Sequence, residues 1–188
     1  MKINANLIRP GNILEHNNKQ WVVLKIQLIQ PGKGGAFIAV EMRDVRTGIK
    51  TNERWRTADT VERLQAEERE CTFLFGDEDS LTFMDSETFD QFTVPREVVG
   101  EPAAFLQDGM PCMADLIEGK PISVKLPDKV TMELVEADPV VKGQTASSSF
   151  KPGKLENGRR IMVPPHIEAG TRIVVNTADG TYLERAKD

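Results

Sequence analysis

Two cysteines, two histidines and one tyrosine are all that 188 residues contain, and aromatic residues make up only 6% of the chain. Each shortage narrows the chemistry. Cys71 and Cys112 lie far apart and form no CxxC pair. In a reducing compartment they read as small buried hydrophobes rather than a disulfide or a metal site. His16 sits in the polar turn His16-Asn17-Asn18, and His166 follows Pro164-Pro165. Neither has a cysteine, aspartate or glutamate at metal-ligand spacing, so a surface or packing role is expected for both. GxSxG, HExxH and Walker sequences are missing. The carboxylates Asp77, Glu78 and Asp79 lack the EF-hand spacing and read as a solvated turn. With no run of eighteen apolar residues, no membrane-spanning helix is expected. The start, Met1-Lys2-Ile3-Asn4-Ala5-Asn6, lacks the apolar core of a signal peptide, so a cytoplasmic protein is expected. No enzyme, metal site or bound cofactor follows from these residues.

What is present suits a folded chain: 39% hydrophobic and 28% charged residues. The net charge of −5 is unevenly spread. Residues 1–63 carry 11 Lys+Arg against 6 Asp+Glu, residues 64–127 carry 4 against 14, and residues 128–188 carry 9 against 9. A mildly basic first third beside an acidic middle would orient a molecule on RNA rather than coat it.

The hydrophobic pattern is mainly β. Leu24, Ile26 and Leu28 alternate with Lys25 and Gln27, the period of a half-buried strand. Ile38, Val40 and Met42 repeat the pattern beyond Pro31-Gly32-Lys33-Gly34-Gly35, which predicts a hairpin with a five-residue glycine-rich loop. Further strands are expected at Cys71–Phe75, Leu81–Met84, Pro121–Lys125, Val130–Val135, Arg160–Val163, Arg172–Asn176 and Thr181–Arg185. Asp108-Gly109, Glu118-Gly119, Asn157-Gly158 and Asp179-Gly180 supply turn signals between them. Helices are expected over Thr60–Glu70 and over Val94–Asp108, the latter with Pro95 at its start, and a long loop over 143–154. The short strands and the composition breaks near 64 and 128 predict an all-β chain of three small barrels: 1–63, 64–127 and 128–188.

Lys33 carries the sharpest signal. Pro31 stiffens the entry to its loop, and three glycines clear every other side chain from the tip. Ordering a lysine costs up to about 2 kcal/mol of rotamer entropy, which an exposed turn does not return. Such a tip suits entry into a narrow space, with backbone passing close to a partner. Lysine is also readily extended by covalent modification. The spacing and the absence of a following helix separate this loop from a nucleotide-binding phosphate loop.

These residues bring a family into view. Pro31-Gly32-Lys33-Gly34-Gly35-Ala36-Phe37 closely resembles the hairpin of the bacterial elongation factor P family, itself related to the eukaryotic and archaeal initiation factor five-A. Ser86-Glu87-Thr88-Phe89, Gly119-Lys120-Pro121-Ile122-Ser123-Val124, Asp138 to Ala146, and Lys151 to Gly170 resemble later family segments in the family's order. The resemblance spans the whole chain. It implies an SH3-like (KOW-like) first domain carrying the Lys33 hairpin, followed by two OB-folds, in an L-shaped arrangement similar to tRNA. It further implies a monomer that binds both ribosomal subunits between the P and E sites and acts at stalled polyproline stretches. The factor would position the P-site peptidyl-tRNA and leave the chemistry to the ribosome, an effect of orientation. Pro31, Gly32, Lys33, Gly34 and Gly35, with Gly143, Gln144 and Thr145 of the third domain, are the implied ribosome and tRNA contacts. Lys33 is the implied modification site, given a β-lysyl-type extension by a lysine-modifying enzyme.

Three departures from the family pattern stand out. Gly143-Gln144-Thr145 replaces the common Gly-Asp-Thr, Gly153 follows Lys151-Pro152 where alanine is usual, and Gln30 precedes Pro31 where lysine is frequent. A general RNA-binding OB-fold module is the alternative reading. It is disfavoured because such modules display stacking aromatics, which are scarce here.

Overall fold

A computed structural model describes residues 1–139 and 149–187 of the chain. Sixteen strands in three sheets dominate the described residues. The first sheet uses β1 (Lys2–Asn4), β2 (Ile13–His16), β3 (Lys19–Ile29), β4 (Phe37–Asp44), β5 (Lys50–Arg56) and β6 (Thr60–Leu64), in the order β1-β6-β2-β3-β4-β5. The second uses β7 (Glu67–Gly76), β8 (Ser80–Asp85), β9 (Gln91–Pro95), β10 (Pro111–Ile117) and β11 (Lys120–Lys125), in the order β11-β10-β7-β8-β9. The third uses β12 (Lys129–Ala137), β13 (Lys151–Leu155), β14 (Arg160–Val163), β15 (Arg172–Asn176) and β16 (Tyr182–Arg185), in the order β14-β13-β12-β15-β16. The chain divides into two compact units, Met1–Glu70 with Met113–Val124, and Cys71–Cys112 with Lys125–Asp188.

In the first unit, the alternating apolar positions point inward as their period demands. Ile38, Val40 and Met42 of β4 are buried beside Ile3, Ile8, Leu14, Trp21, Val23 and Val61. Burying each such side chain contributes about 1.5–3 kcal/mol, so β4 is fixed in register by three anchors. The β3 alternation is broken by a bulge between Val23 and Lys25. Ile26 still packs on the core, but Leu28 lies toward the hairpin tip and is 55% exposed. A second cluster joins Ile13, Val22 and Ile122, flanked by Val45, Leu64, Ala66 and Ile117. The Arg43 guanidinium donates to the Ile122 carbonyl at 3.4 Å beside it.

In the second unit, Phe73 meets Phe83 edge-on at 5.5 Å, and Phe83 stacks on Phe92 at 5.7 Å. Leu134, Leu155, Ile161, Val163, Ile173 and Val175 of the third sheet are buried, as is Ile167 in the connection from β14 to β15. Cys71 and Cys112 are buried and free. Burial pushes their thiols up, to about 12 and about 11 respectively, so both stay protonated and inert at neutral pH.

Three expectations are corrected. Thr60–Glu70 is not a helix but the strand β6 and the start of β7. Its charged residues favour helix only weakly, whereas β6 pairs with both β1 and β2 and buries Val61. Val94–Asp108 is not one helix. Val94 and Pro95 end β9, a single turn α1 (Arg96–Val99) follows, and Gly100 at φ +78 separates it from a 3-10 turn over Glu101–Phe105. The loop expected over 143–154 gives way to β13 from Lys151, paired on both sides by β12 and β14; its part from 143 to 148 lies outside the described residues. The seven other expected strands fall on observed ones, and Gly109, Gly119, Gly158 and Gly180 all adopt positive φ.

Among the described residues, four that are not glycine adopt positive φ: Asn17, Asn18, Phe89 and Glu118. Asparagine tolerates this region through its short polar side chain. Phe89, at φ +62, has no such help, and the conformation costs it about 1–2 kcal/mol.

Candidate functional site

The hairpin expected around Lys33 is present, with a longer loop. β3 and β4 pair from Trp21↔Asp44 to Ile29↔Phe37, leaving Gln30–Ala36 between them, seven residues rather than five. The stem is held by the buried β4 side chains and by β5, where Phe37 pairs with Arg56 and Ile38 with Trp55. The Thr57 amide donates to the Ala36 carbonyl at 3.2 Å and closes the base of the loop.

Pro31, Gly32, Lys33, Gly34 and Gly35 are all exposed. Gly34 has φ +104, a conformation that favours glycine. Gly32 and Gly35 do not: neither lies in the left-handed region, and a Cβ added at either would meet nothing within 4 Å. The fold therefore gives no internal reason for two of the three glycines. Among the described residues, Lys33 makes no hydrogen bond or ion pair. The tip is a lone cation on a bare backbone, held out by a long stem. Gly143, Gln144 and Thr145 lie outside the described residues.

The sequence reading missed two further cations. Arg54 and Arg56 alternate with Glu53 and Trp55 on β5, so both project from the same face, opposite Ala39 and Phe37. Both are exposed, and neither forms an ion pair among the described residues. The signal was visible as a period-two run, Lys50 to Arg56, with cations at every second position near its end.

Other titratable groups serve the fold. The His16 ring stands edge-on to Trp55 at 5.2 Å, with Nε2 3.6 Å from Glu53. His166 is exposed in a turn. Asp77 accepts the Asp79 and Ser80 amides at 2.8 Å, and these bonds hold its carboxyl below the usual range. Asp44 closes the β4–β5 turn. Burial alone would push its carboxyl up, but hydrogen bonds from Arg46 and Thr47, with Lys19 nearby, hold it below the usual range. A groove of about 440 Å³ lined by Lys19, Asp44 and Arg46 opens at the end of the β3–β4 hairpin remote from Lys33. No helix among the described residues is long and apolar enough to cross a membrane.

Known proteins match along the whole chain. Residues 4–61 match the elongation factor P (EF-P) KOW-like domain, 66–124 the EF-P OB domain and 130–185 the elongation factor P C-terminal domain. Elongation factor P of Paramagnetospirillum magneticum is 66% identical over 187 residues, with all of both chains covered. The chain belongs to the elongation factor P family. Elongation factor P of Rhodospirillum rubrum is likewise 66% identical with full coverage of both chains. Among solved structures, translation initiation factor 5A from Methanococcus jannaschii is 19% identical and covers 68% of this chain and 92% of its own, with a TM-score of 0.44. As an elongation factor P family member, the chain is an all-β translation factor of three domains, KOW-like, OB and C-terminal, and not an enzyme.

Proposed function

We propose that this translation factor works in the cytoplasm as a monomer, binds both ribosomal subunits between the P and E sites, and promotes peptide-bond formation at stalled polyproline stretches. It does so by positioning the P-site peptidyl-tRNA. Proline reacts poorly because its ring restricts the reacting geometry. A factor that holds the tRNA end in place lowers that barrier through orientation and supplies no catalytic group.

The observation that carries this reading is the tip itself. Gly32 and Gly35 are glycine where the isolated fold would accept a side chain. Glycine there makes sense when the loop slides into a narrow space and its backbone lies against a partner. Lys33 is then the one side chain delivered to the far end, and a β-lysyl-type extension, added by a lysine-modifying enzyme, lengthens its reach and adds donors. Arg54 and Arg56 sit on the strand that braces the stem, where tRNA phosphates would meet them. Gly143, Gln144 and Thr145 complete the reading as a second contact, with Gln144 offering a hydrogen bond in place of a charge. The three domains fall at 1–63, 64–127 and 128–188 in this reading.

The test is ribosomal synthesis of a Pro-Pro-Pro reporter with wild type and with Lys33→Ala. Wild type should relieve stalling and the variant should not. Equal relief by both would end the assignment of Lys33. Intact-mass measurement of natively expressed protein should show an added group on Lys33, and a mass equal to the bare sequence would remove the extension from the reading.

A further inference from the structure

Three hairpin loops in this chain share one geometry. In the first, the Gly48 amide donates to the Asp44 carbonyl at 2.9 Å, the Asp44 amide to the Ile49 carbonyl at 2.9 Å, and the Arg46 amide to the Asp44 carboxylate at 2.8 Å. In the third, Gly180, Asn176, Thr181 and Ala178 repeat the same bonds, at 2.8 Å for each of the three. In the second, between β8 and β9, the partners are Phe89, Asp85, Asp90 and Glu87, at 2.9, 2.8 and 2.8 Å. The fifth position of each loop has positive φ: Gly48 at 76°, Gly180 at 74° and Phe89 at 62°. The molecule thus supplies its own control. At residue 48 the turn carries glycine, and at residue 180 it carries glycine where a Cβ would also meet the Phe105 ring at 3.4 Å. At residue 89 the same turn carries phenylalanine.

Packing does not account for the exchange. Phe89 is 70% exposed, and its ring meets no other ring among the described residues. A bulky residue held in this region against its own preference points to use rather than to folding. The surroundings say what kind of use. From Glu70 to Pro95 the sequence holds seven carboxylates and no lysine, arginine or histidine. Arg96, the next cation, donates to the Asp77 carbonyl at 2.7 Å. Glu87 and Asp90 lie within two residues of Phe89 in the same exposed loop. Nucleic-acid backbone is repelled from such a surface, whereas a basic protein is attracted to it, and an aromatic face also accepts a guanidinium or ammonium.

We propose that Phe89 is an aromatic anchor by which the acidic β8–β9 hairpin docks onto a basic protein surface of the ribosome. The proposal rests on the reading that this chain binds ribosomes. The ring fills an apolar socket or stacks under an arginine, and the exposed Asp90 beside it pairs with a cation of that surface. Central aromatic anchors of this kind carry much of the binding in protein interfaces.

The probe is the purified ribosome, tested with full-length wild type, Phe89→Gly and Phe89→Tyr in cosedimentation. Phe89→p-benzoylphenylalanine gives the photo-crosslink, and thermal unfolding of the free proteins gives the structural control. Phe89→Gly should weaken ribosome binding at least fivefold, while its unfolding midpoint stays level or rises because the strain is gone. Phe89→Tyr should bind within twofold of wild type, and the crosslink should fall on a basic ribosomal protein. Wild-type affinity in Phe89→Gly would overturn the anchor and leave ribosome binding intact. A lowered unfolding midpoint in Phe89→Gly would make the residue structural and overturn it too. A crosslink on ribosomal RNA would overturn the choice of partner. Failure of wild type itself to bind ribosomes would overturn the proposed function, and the anchor with it.

Discussion

The two hairpin tips at Lys33 and Phe89 break local rules in opposite directions. The first uses glycine at Gly32 and Gly35, where neither the backbone conformation nor the space around a Cβ calls for it. The second uses phenylalanine where the turn asks for glycine and its two counterparts have it. A sequence shaped by folding alone would do neither, since folding rewards agreement between residue and conformation. One tip is made thinner than the fold needs, the other thicker. Under the two proposals above, the difference separates a probe that enters from a knob that is received.

The largest effect expected from this contrast lies at Lys33. Lys33→Ala should lower activity on the Pro-Pro-Pro reporter by at least about tenfold, a loss of positioning rather than of folding. Lys33→Arg should fail as fully, because it keeps the charge and loses the amine on which the proposed extension is built; full activity in Lys33→Arg would show that charge suffices. Next come Gly32→Val and Gly35→Val. Each should leave stability within about 0.5 kcal/mol, as expected of surface changes, yet lower reporter activity severalfold. Normal activity in both would mean that the bare backbone serves no partner. Gly48→Ala should destabilise by about 1 kcal/mol in urea unfolding, since alanine resists positive φ, whereas Phe89→Gly should not destabilise at all. A stable Gly48→Ala variant would remove the control on which Phe89 is judged.

The smallest effect concerns the Gly48 loop in acid. The Asp44 carboxyl is depressed in the folded protein, so the stability it contributes is complete above its unfolded value of about 3.9 and is lost as pH falls through the folded one. Between pH 5 and pH 2, wild type should therefore lose more stability in urea titrations than Asp44→Asn. Parallel losses would mean that Asp44 does not hold its turn by charge.

Much of this was legible in the residues, and the gaps have physical causes. Strands with clear two-residue alternation, such as Arg160–Val163 and Arg172–Asn176, were legible to the residue. So were the turns, because Gly109, Gly119, Gly158 and Gly180 sit where only positive φ closes the chain. Thr60–Glu70 was misread because glutamate and arginine favour helix locally, while the partners that make it strand, β1 and β2, lie about fifty to sixty residues away in sequence. The Lys33 tip was legible from its glycines. That only Gly34 of the three has a conformational reason was not, because spacing does not report φ. Phe89 was visible as part of a motif but not as an outlier. Its strain emerges only when Asp44 to Gly48, Asp85 to Phe89 and Asn176 to Gly180 are seen to be one turn used three times.

The buried thiols of Cys71 and Cys112 have a practical side. With both held protonated well above neutral pH, the native chain offers maleimide reagents almost nothing to attack. A cysteine introduced beside an exposed tip, by Ser86→Cys or Gln30→Cys, would then be the sole fast-reacting site without removal of either native cysteine. A fluorophore placed there would report, in real time, which tip is first shielded from solvent as the protein meets its partner.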